Sequence, residues 1–469
     1  MRKTMKKWLA LLMTVLILAA AVPAALAAPD ARKLDTYYSL AAQYISREEY
    51  DKALDYLKNA LEYCDENTSE ELLADIHLKI AYIYMMKQEY EDALKELDEL
   101  FLISPDLAEG YLIRMEIYSE MGEYAKAAQD LEKYIELTGM KENYETVAKL
   151  YNMAGDQEKA VESYQAYLDA MQVEGSRSAY EAAAYKVESG LYQEAIADYE
   201  ALLEDEEYGK AAAYNIGICY LQMEEYEKAL DAFGKCSEYA AEIDGIYYNI
   251  GICNMQLGKF TEAIEAFGIS YETESYKTDA VYNRAVCHFS LTSAGLDEEA
   301  TKAELQAAIE DFTAYLALMT EEAKAAAGEG AEVPETVNMA NYYRAVCYVG
   351  LEEFEKAIED YTACIEAGVY AEDSMYGRSL IYLQIGKLEE AMEGLTYCID
   401  NGIHTDESLY YRSLIHDAQG NTQAAIDDLT LCIEHGYNLA EMYYQRAQMY
   451  LKLNDMDHYV EDLEASLKY

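Results

Sequence analysis

The chain has 469 residues, 52% of them hydrophobic, and carries 89 acidic against 36 basic side chains for a formal charge of −53. A field of that sign repels nucleic acid and anionic lipid and favours basic proteins or divalent cations. The acids are spread along the chain, so they also act as the solvated faces of helices.

The first residues form a separate object. Arg2, Lys3, Lys6 and Lys7 precede an apolar run from Trp8 to Val22, and Ala25-Leu26-Ala27 follows as a small-x-small site. That order is the design of a secretory signal peptide over residues 1–27, with cleavage expected after Ala27. The alternative is an uncleaved anchor tethering the protein to a membrane, since about 20 apolar residues span a bilayer. The first cysteine is Cys64, so no lipid-attachment cysteine follows the site, and no second span appears downstream. The expectation is an exported protein, in the extracellular space, cell envelope or periplasm.

A thirty-four-residue period runs through the remainder. Tyr214, Tyr248 and Tyr282 keep it, as do Tyr342, Tyr376, Tyr410 and Tyr444. A fixed period of this size marks stacked repeats that bury their apolar faces only against neighbours. The clearest unit places Ile216, Gly217 and Tyr220 on one helical face. After a turn at Glu224-Glu225, Ala229, Phe233 and Cys236 follow on a second helix at i+4 and i+7. Gly217 and Ala229 are small where two antiparallel helices approach, and Tyr220 and Phe233 fill the space beside them.

Ile216-Gly217-x2-Tyr220 and Ala229-x3-Phe233 resemble the tetratricopeptide repeat, residue by residue. The small residue that opens the second helix recurs as Ala53, Ala93, Ala127, Ala160, Ala195, Ala229, Ala263, Ala308, Ala357, Ala391 and Ala425, with Tyr459 in the last unit. The resemblance implies an all-α, right-handed superhelical solenoid of about twelve tetratricopeptide-like helical hairpins, elongated and working as a non-catalytic protein- or peptide-binding scaffold or adaptor. The family's tryptophan is missing from the repeats and its terminal proline survives only as Pro105. Tyr459 breaks the small-residue rule and suggests a repacked end with a polar outer face.

Between Ala285 and Ala308 lie eleven extra residues. Asp297 is placed to cap a helix that runs through Leu305, Ile309, Phe312 and Leu316 and overruns into 321–327. Gly328-Glu329-Gly330 and Pro334 then break it. The expected organisation is eight repeats over 34–327, the eighth with the insertion, a linker at 328–336, and four repeats over 337–469.

An arginine also keeps the period. Arg344, Arg378, Arg412 and Arg446 are thirty-four apart, and Arg114 and Arg284 hold the same site earlier. Asp130, Asp311, Asp360, Asp428 and Asp462 stand on the second helix of units with this arginine, whereas units with Ile216 or Ile250 have Ala232 or Ala266. Charges that appear and vanish together predict structural ion pairs between helices: Arg114–Asp130, Arg284–Asp311, Arg344–Asp360, Arg412–Asp428 and Arg446–Asp462. Arg378 faces Gly394 instead, and Asp198 is unmatched.

The tyrosine series has company. Ile218, Ile252 and Val286 lie four residues on, and Met255 and Phe289 three further. With Tyr214, Tyr248, Tyr282, Tyr342, Tyr376 and Tyr410 they form either an aromatic and aliphatic groove on the family's concave wall or packing between coiled repeats. The lysines and asparagines of the family's carboxylate-clamp type are absent from these sites. A groove partner is expected to be a protein or peptide with basic flanks. An acidic, cation-binding cell-envelope protein that displays carboxylates on a solenoid is the alternative.

The sequence carries no Gly-x4-Gly-Lys-Ser/Thr loop, His-Glu-x2-His helix or Gly-x-Ser-x-Gly elbow, so neither catalytic residues nor a cofactor or metal site are expected. His288 and His416 replace a packing tyrosine. His404, His435 and His458 lack partners at metal-ligand spacing. Asp65-x-Asn67-x-Ser69 opens like a calcium loop without its glycine or final glutamate, and Asn67-Thr68-Ser69 fits a glycosylation acceptor. Of the nine cysteines, Cys219, Cys236, Cys253, Cys347, Cys364, Cys398 and Cys432 recur at helical sites taken elsewhere by alanine or serine, as buried small hydrophobes would; Cys219 and Cys236 are the pair that could still oxidise.

Overall fold

The computed structural model describes residues 29–272, 275–326 and 335–469, the side chains of 29–31 and 321–326 excepted. The signal segment 1–27 and residues 328–334 of the expected linker lie outside these; Glu335 and Thr336 already belong to the helix Glu335–Gly350. Among the described residues there are 24 α-helices, two short 3-10 helices and no strand. The helices follow one another as twelve pairs, numbered here as hairpins 1 to 12, and the architecture is an all-α repeat solenoid.

The chain divides after Cys219, inside the helix Gly209–Gln222, into two compact units. The first holds hairpins 1 to 5, from Pro29–Ile45 with Tyr50–Glu62 to Gly175–Glu188 with Tyr192–Glu200. The second holds hairpins 7 to 12, from Ile246–Gln256 with Phe260–Tyr271 to Leu439–Lys452 with Met456–Ser466. Val281, Ala285, Leu305 and Phe312 share one buried cluster with Ala340, Cys347 and Ala357, because the long helix Glu298–Ala326 packs on Glu335–Gly350.

The small residue at the head of each second helix explains the hairpin geometry. Ala53, Ala93, Ala127, Ala160, Ala195, Ala263, Ala308, Ala357, Ala391 and Ala425 are all fully buried. Facing them the first helix also needs a small residue: a Cβ on Gly251 would lie 2.6 Å from the Phe267 ring. Helix ends are set by backbone handedness rather than by proline. Five residues before the small residue the chain turns left-handed, at Gly122, Gly155, Gly190, Gly258, Gly386 and Gly420, and equally at Glu48, Gln88, Glu224, Glu352 and Asn454 with φ between 59° and 64°. The next amide donates back across the turn, as from Glu353 to the Tyr348 carbonyl at 2.9 Å, closing the helix end.

Hairpin 8 replaces that turn with its insertion. Asp297 Oδ1 accepts from the Ala300 amide at 2.8 Å and starts the helix that runs to Ala326. At the other signalled loop, Asp65 accepts from the Asn67 amide at 2.9 Å and Ser69 accepts from the Leu72 amide at 3.2 Å, so this stretch caps the helix Glu70–Met86. The polar outer face expected of hairpin 12 is not what the structure shows. Met456, Val460, Leu467 and Tyr469 are all exposed there, beside Tyr444, Leu451 and Leu453.

The nine cysteines are free thiols, all but Cys64 buried. Burial pushes the thiols of Cys253, Cys287, Cys347 and Cys432 up to about 12, so they remain protonated and unreactive as part of the core.

Candidate binding surfaces

The arginine series sits between helices, and every member but Arg378 has the same geometry. Arg412 donates from Nε to Asp428 Oδ2 at 2.9 Å and from Nη2 to Oδ1 at 2.7 Å. Arg114 binds Asp130, Arg284 binds Asp311, Arg344 binds Asp360 and Arg446 binds Asp462 through the same two nitrogens at 2.6 to 2.8 Å. The aspartate side chains are 6 to 10% exposed. A forked, two-bond contact suits a buried pair because it satisfies both carboxylate oxygens.

The third arginine nitrogen reaches the preceding hairpin, which sequence reasoning missed. Nη1 of Arg344, Arg378, Arg412 and Arg446 donates to Thr313, Thr362, Thr396 and Thr430 at 2.8 to 3.3 Å. Each threonine stands two residues beyond the aspartate site of its own helix, a spacing visible as Asp311-x-Thr313, Asp360-x-Thr362 and Asp428-x-Thr430. The guanidinium therefore ties one hairpin to the next. Arg378, without an aspartate, keeps the threonine and adds a 3.6 Å contact to Met375 Sδ. Gly394 stands opposite because a Cβ there would lie 2.0 Å from Ser379 Oγ.

Asp198 does have a cation. Lys186 Nζ donates to its Oδ2 at 2.6 Å. The arginine site of hairpin 5 is Ala182, and Lys186, one turn further along, takes the place that Tyr118, Tyr151 or Tyr220 holds in other hairpins. Both exchanges remove bulk. Between the helices Gln157–Ala170, Gly175–Glu188 and Tyr192–Glu200 they leave a cavity of about 600 Å³, lined by Gln165, Ala166, Ala182, Lys186 and Asp198 with Glu162 and Asp169 also in its wall.

The tyrosine and aliphatic stripe is half-buried throughout. In the first unit these residues are Tyr214 and Ile218. In the second unit Tyr248, Ile252 and Met255 pack against the core of Ala263 and Phe267, and Tyr282, Val286, Phe289 and Tyr342 pack against that of Phe312 and Cys347. Tyr376 packs beside Ala391 and Leu395, and Tyr410 beside Leu409 and Ile426. Burial raises the phenols of Tyr248, Tyr342, Tyr376 and Tyr410 above their ordinary range and pushes Tyr282 up to about 12.

One face of several ladder rings is covered by the residue that opens the next hairpin. Tyr248 stacks on Tyr276 at 4.9 Å, Tyr342 on Tyr370 at 5.0 Å and Tyr376 on His404 at 4.5 Å. Tyr370, His404 and Asn438 follow at thirty-four residues, all in left-handed conformation. The varied residue types at that site hid the series from a search for repeated identities. The ladder rings thus carry packing between hairpins. The apolar surface that stays partly open on the same helix faces comes from Ile252, Met255, Val286 and Phe289 as well.

Among the described residues no group of three or more His, Cys, Asp or Glu side chains could hold a metal ion, and no helix is long and apolar enough to cross a membrane. The histidines find carboxylates instead: His288 with Glu304 at 2.6 Å, His404 with Asp373 at 2.9 Å, His435 with Asp406 at 2.6 Å and His458 with Asp455 at 2.7 Å.

Comparison with known proteins agrees with the repeat. Residues 111–139 and 440–469 match the tetratricopeptide repeat family, and residues 188–270 match the family described as anaphase-promoting complex, cyclosome, subunit 3. A curated relative, tetratricopeptide repeat protein 29 of Homo sapiens, is 26% identical over 151 residues, covering 29% of this chain and 31% of the relative. The chain thus spans about a third of the length of that relative. Among solved structures, Naa15/Naa10 bound to HypK-THB aligns over 92% of this chain and 68% of its own at 13% identity and a TM-score of 0.43. A tetratricopeptide repeat protein from Parabacteroides merdae aligns over 55% of this chain and 99% of its own at 15% identity and a TM-score of 0.31. The segments that match the tetratricopeptide repeat family fall on helical hairpins 3 and 12 of the all-α repeat solenoid.

Proposed function

We propose that the chain is an exported, non-catalytic scaffold that binds a protein or peptide segment on the second unit. The observation that supports this reading is the half-buried stripe of Tyr248, Ile252, Met255, Tyr282, Val286 and Phe289, spaced at i, i+4 and i+7 so that each set lies on one helix face. Such a face takes an apolar or aromatic segment, helical or extended. Basic flanks on that segment meet the surrounding acids, steer encounter and make association sensitive to salt, while the apolar anchors govern dissociation.

Binding of a segment captured from the exported fraction should weaken by about 1–3 kcal/mol in Tyr282→Ala, since aromatic anchors dominate interfaces. Because Tyr282 also packs against Phe312 and Tyr315, Met255→Glu serves as the second variant, and thermal melts accompany both. A segment that binds wild type and both variants equally removes the stripe from consideration. The exported state is tested at the amino terminus. Sequencing of the mature protein should begin at Ala28, and a chain that keeps residues 1–27 and sediments with membranes is anchored instead.

A further inference from the structure

The cavity in hairpin 5 is where hairpins 3, 8, 9, 10, 11 and 12 keep a guanidinium. Ala182 precedes Asp198 by sixteen residues, as Arg412 precedes Asp428 and Arg446 precedes Asp462. On the preceding hairpin, Gln165 stands five residues beyond the small residue Ala160, just as Thr430 stands five beyond Ala425. Both acceptor positions of the arginine site are thus polar here, and only the arginine is missing. Two of the residues in the cavity wall, Asp198 and Gln165, occupy the sites that bind Nε, Nη2 and Nη1 elsewhere in the chain.

Lys186 does not replace the missing group. It enters from one turn along and makes a single 2.6 Å bond to Asp198 Oδ2, and a volume of about 600 Å³ remains beside it. The space is open to solvent on one side, with Glu162, Asp169 and Ala179 exposed in its wall. Ala166, Ala179, Ala182 and Ala201 keep the walls short, and the helix Tyr192–Glu200 ends after nine residues. Glu162, Asp169 and Asp198 set three carboxylates against one ammonium in the lining. Gln165 Nε2 donates to Asp169 Oδ1 at 2.9 Å and to Ser178 Oγ at 3.4 Å. The amide nitrogen is thus engaged, and the carbonyl oxygen is the atom of Gln165 that can accept.

We propose that this cavity receives an arginine side chain presented by a partner peptide, the guanidinium seated between Asp198 and Gln165 with Glu162 and Asp169 completing its neutralisation. The planar fork and five donors of arginine match two acceptors on different helices, which an ammonium on a flexible stem does not. The site lies wholly within the first unit and is independent of the stripe on the second.

The test uses the full chain and a short glycine–serine peptide, blocked at both ends, with one central arginine, beside its citrulline and lysine counterparts. Calorimetry should show binding of the arginine peptide and at least tenfold weaker binding of the other two. Ala182→Arg should abolish binding by filling the cavity from within, as the arginine does in hairpins 3, 8, 9, 11 and 12, with an unchanged or raised Tm. Asp198→Asn should weaken binding at least tenfold, and Lys186→Met should tighten it severalfold by freeing the Asp198 carboxylate. No binding to wild type, equal binding of the citrulline or lysine peptide, or full binding by the Asp198→Asn variant would each overturn the proposal.

Discussion

Replacing Arg412 by Leu is expected to destabilise hairpin 11 by about 3–5 kcal/mol, the cost of leaving one member of a buried ion pair uncompensated. The side chain of Asp428 is 6% exposed and both its oxygens are bound by that arginine. Without it the carboxylate is held away from water with only His416, at 3.9 Å, to answer it. Removing both charges, as Arg412→Leu with Asp428→Ala, should cost less than the single arginine change. Arg378→Leu is the internal control: Arg378 has no aspartate to strand, meeting Thr362, Met375 and the Tyr382 ring, and should lose about 1 kcal/mol, the worth of an ordinary hydrogen bond. Because a solenoid opens locally, native-state hydrogen exchange across residues 405–434 reads the effect more directly than a single global Tm. If the double variant loses the sum of the two single losses, the side chains are not coupled.

How far the sequence led depends on whether a feature repeats as an identity or as a role. The hairpins were readable because the buried small residue is alanine almost every time, from Ala53 to Ala425. The charge partners were readable because arginine and aspartate rise and fall together between copies. Helix ends were not, since one backbone conformation is filled by Gly122, Gln88, Glu224 or Asn454 alike. The stacking partners of the tyrosine ladder were hidden for the same reason, being Tyr276, Tyr370 and His404. Asp198 illustrates a different obstacle. Its cation arrives from Lys186, at a site where other copies keep tyrosine, so a search confined to the arginine position could not find it. The cavity beside it is the consequence of two substitutions on one helix, each unremarkable alone. The exposed side chains of hairpin 12, Met456, Val460, Leu467 and Tyr469, are not marked as such by composition.

Raising the pH should unfold the chain between pH 10 and 12, with helix lost together with the appearance of phenolate. Tyr185 is 4% exposed and stacks on Tyr164 at 4.2 Å. Burial, helped by the Glu188 carboxylate, pushes its phenol up to about 12. In the unfolded chain the same group ionises near 10. Below pH 10 both states are protonated and the full stability is present. Above it the unfolded state sheds its proton first, so stability falls until the folded phenol ionises too, near 12. A displacement of this size corresponds to about 3 kcal/mol for a phenol as buried as this one. Tyr282, half-buried with a phenol also up to about 12, adds a smaller amount because solvent screens it. A Tyr185→Phe variant lacks the ionisable group and should hold its helix to higher pH than wild type. Following phenolate absorbance and far-ultraviolet circular dichroism through one alkaline titration tests the coupling directly: full helix retained past pH 12, or an unshifted midpoint in Tyr185→Phe, would show that the buried phenols do not govern it.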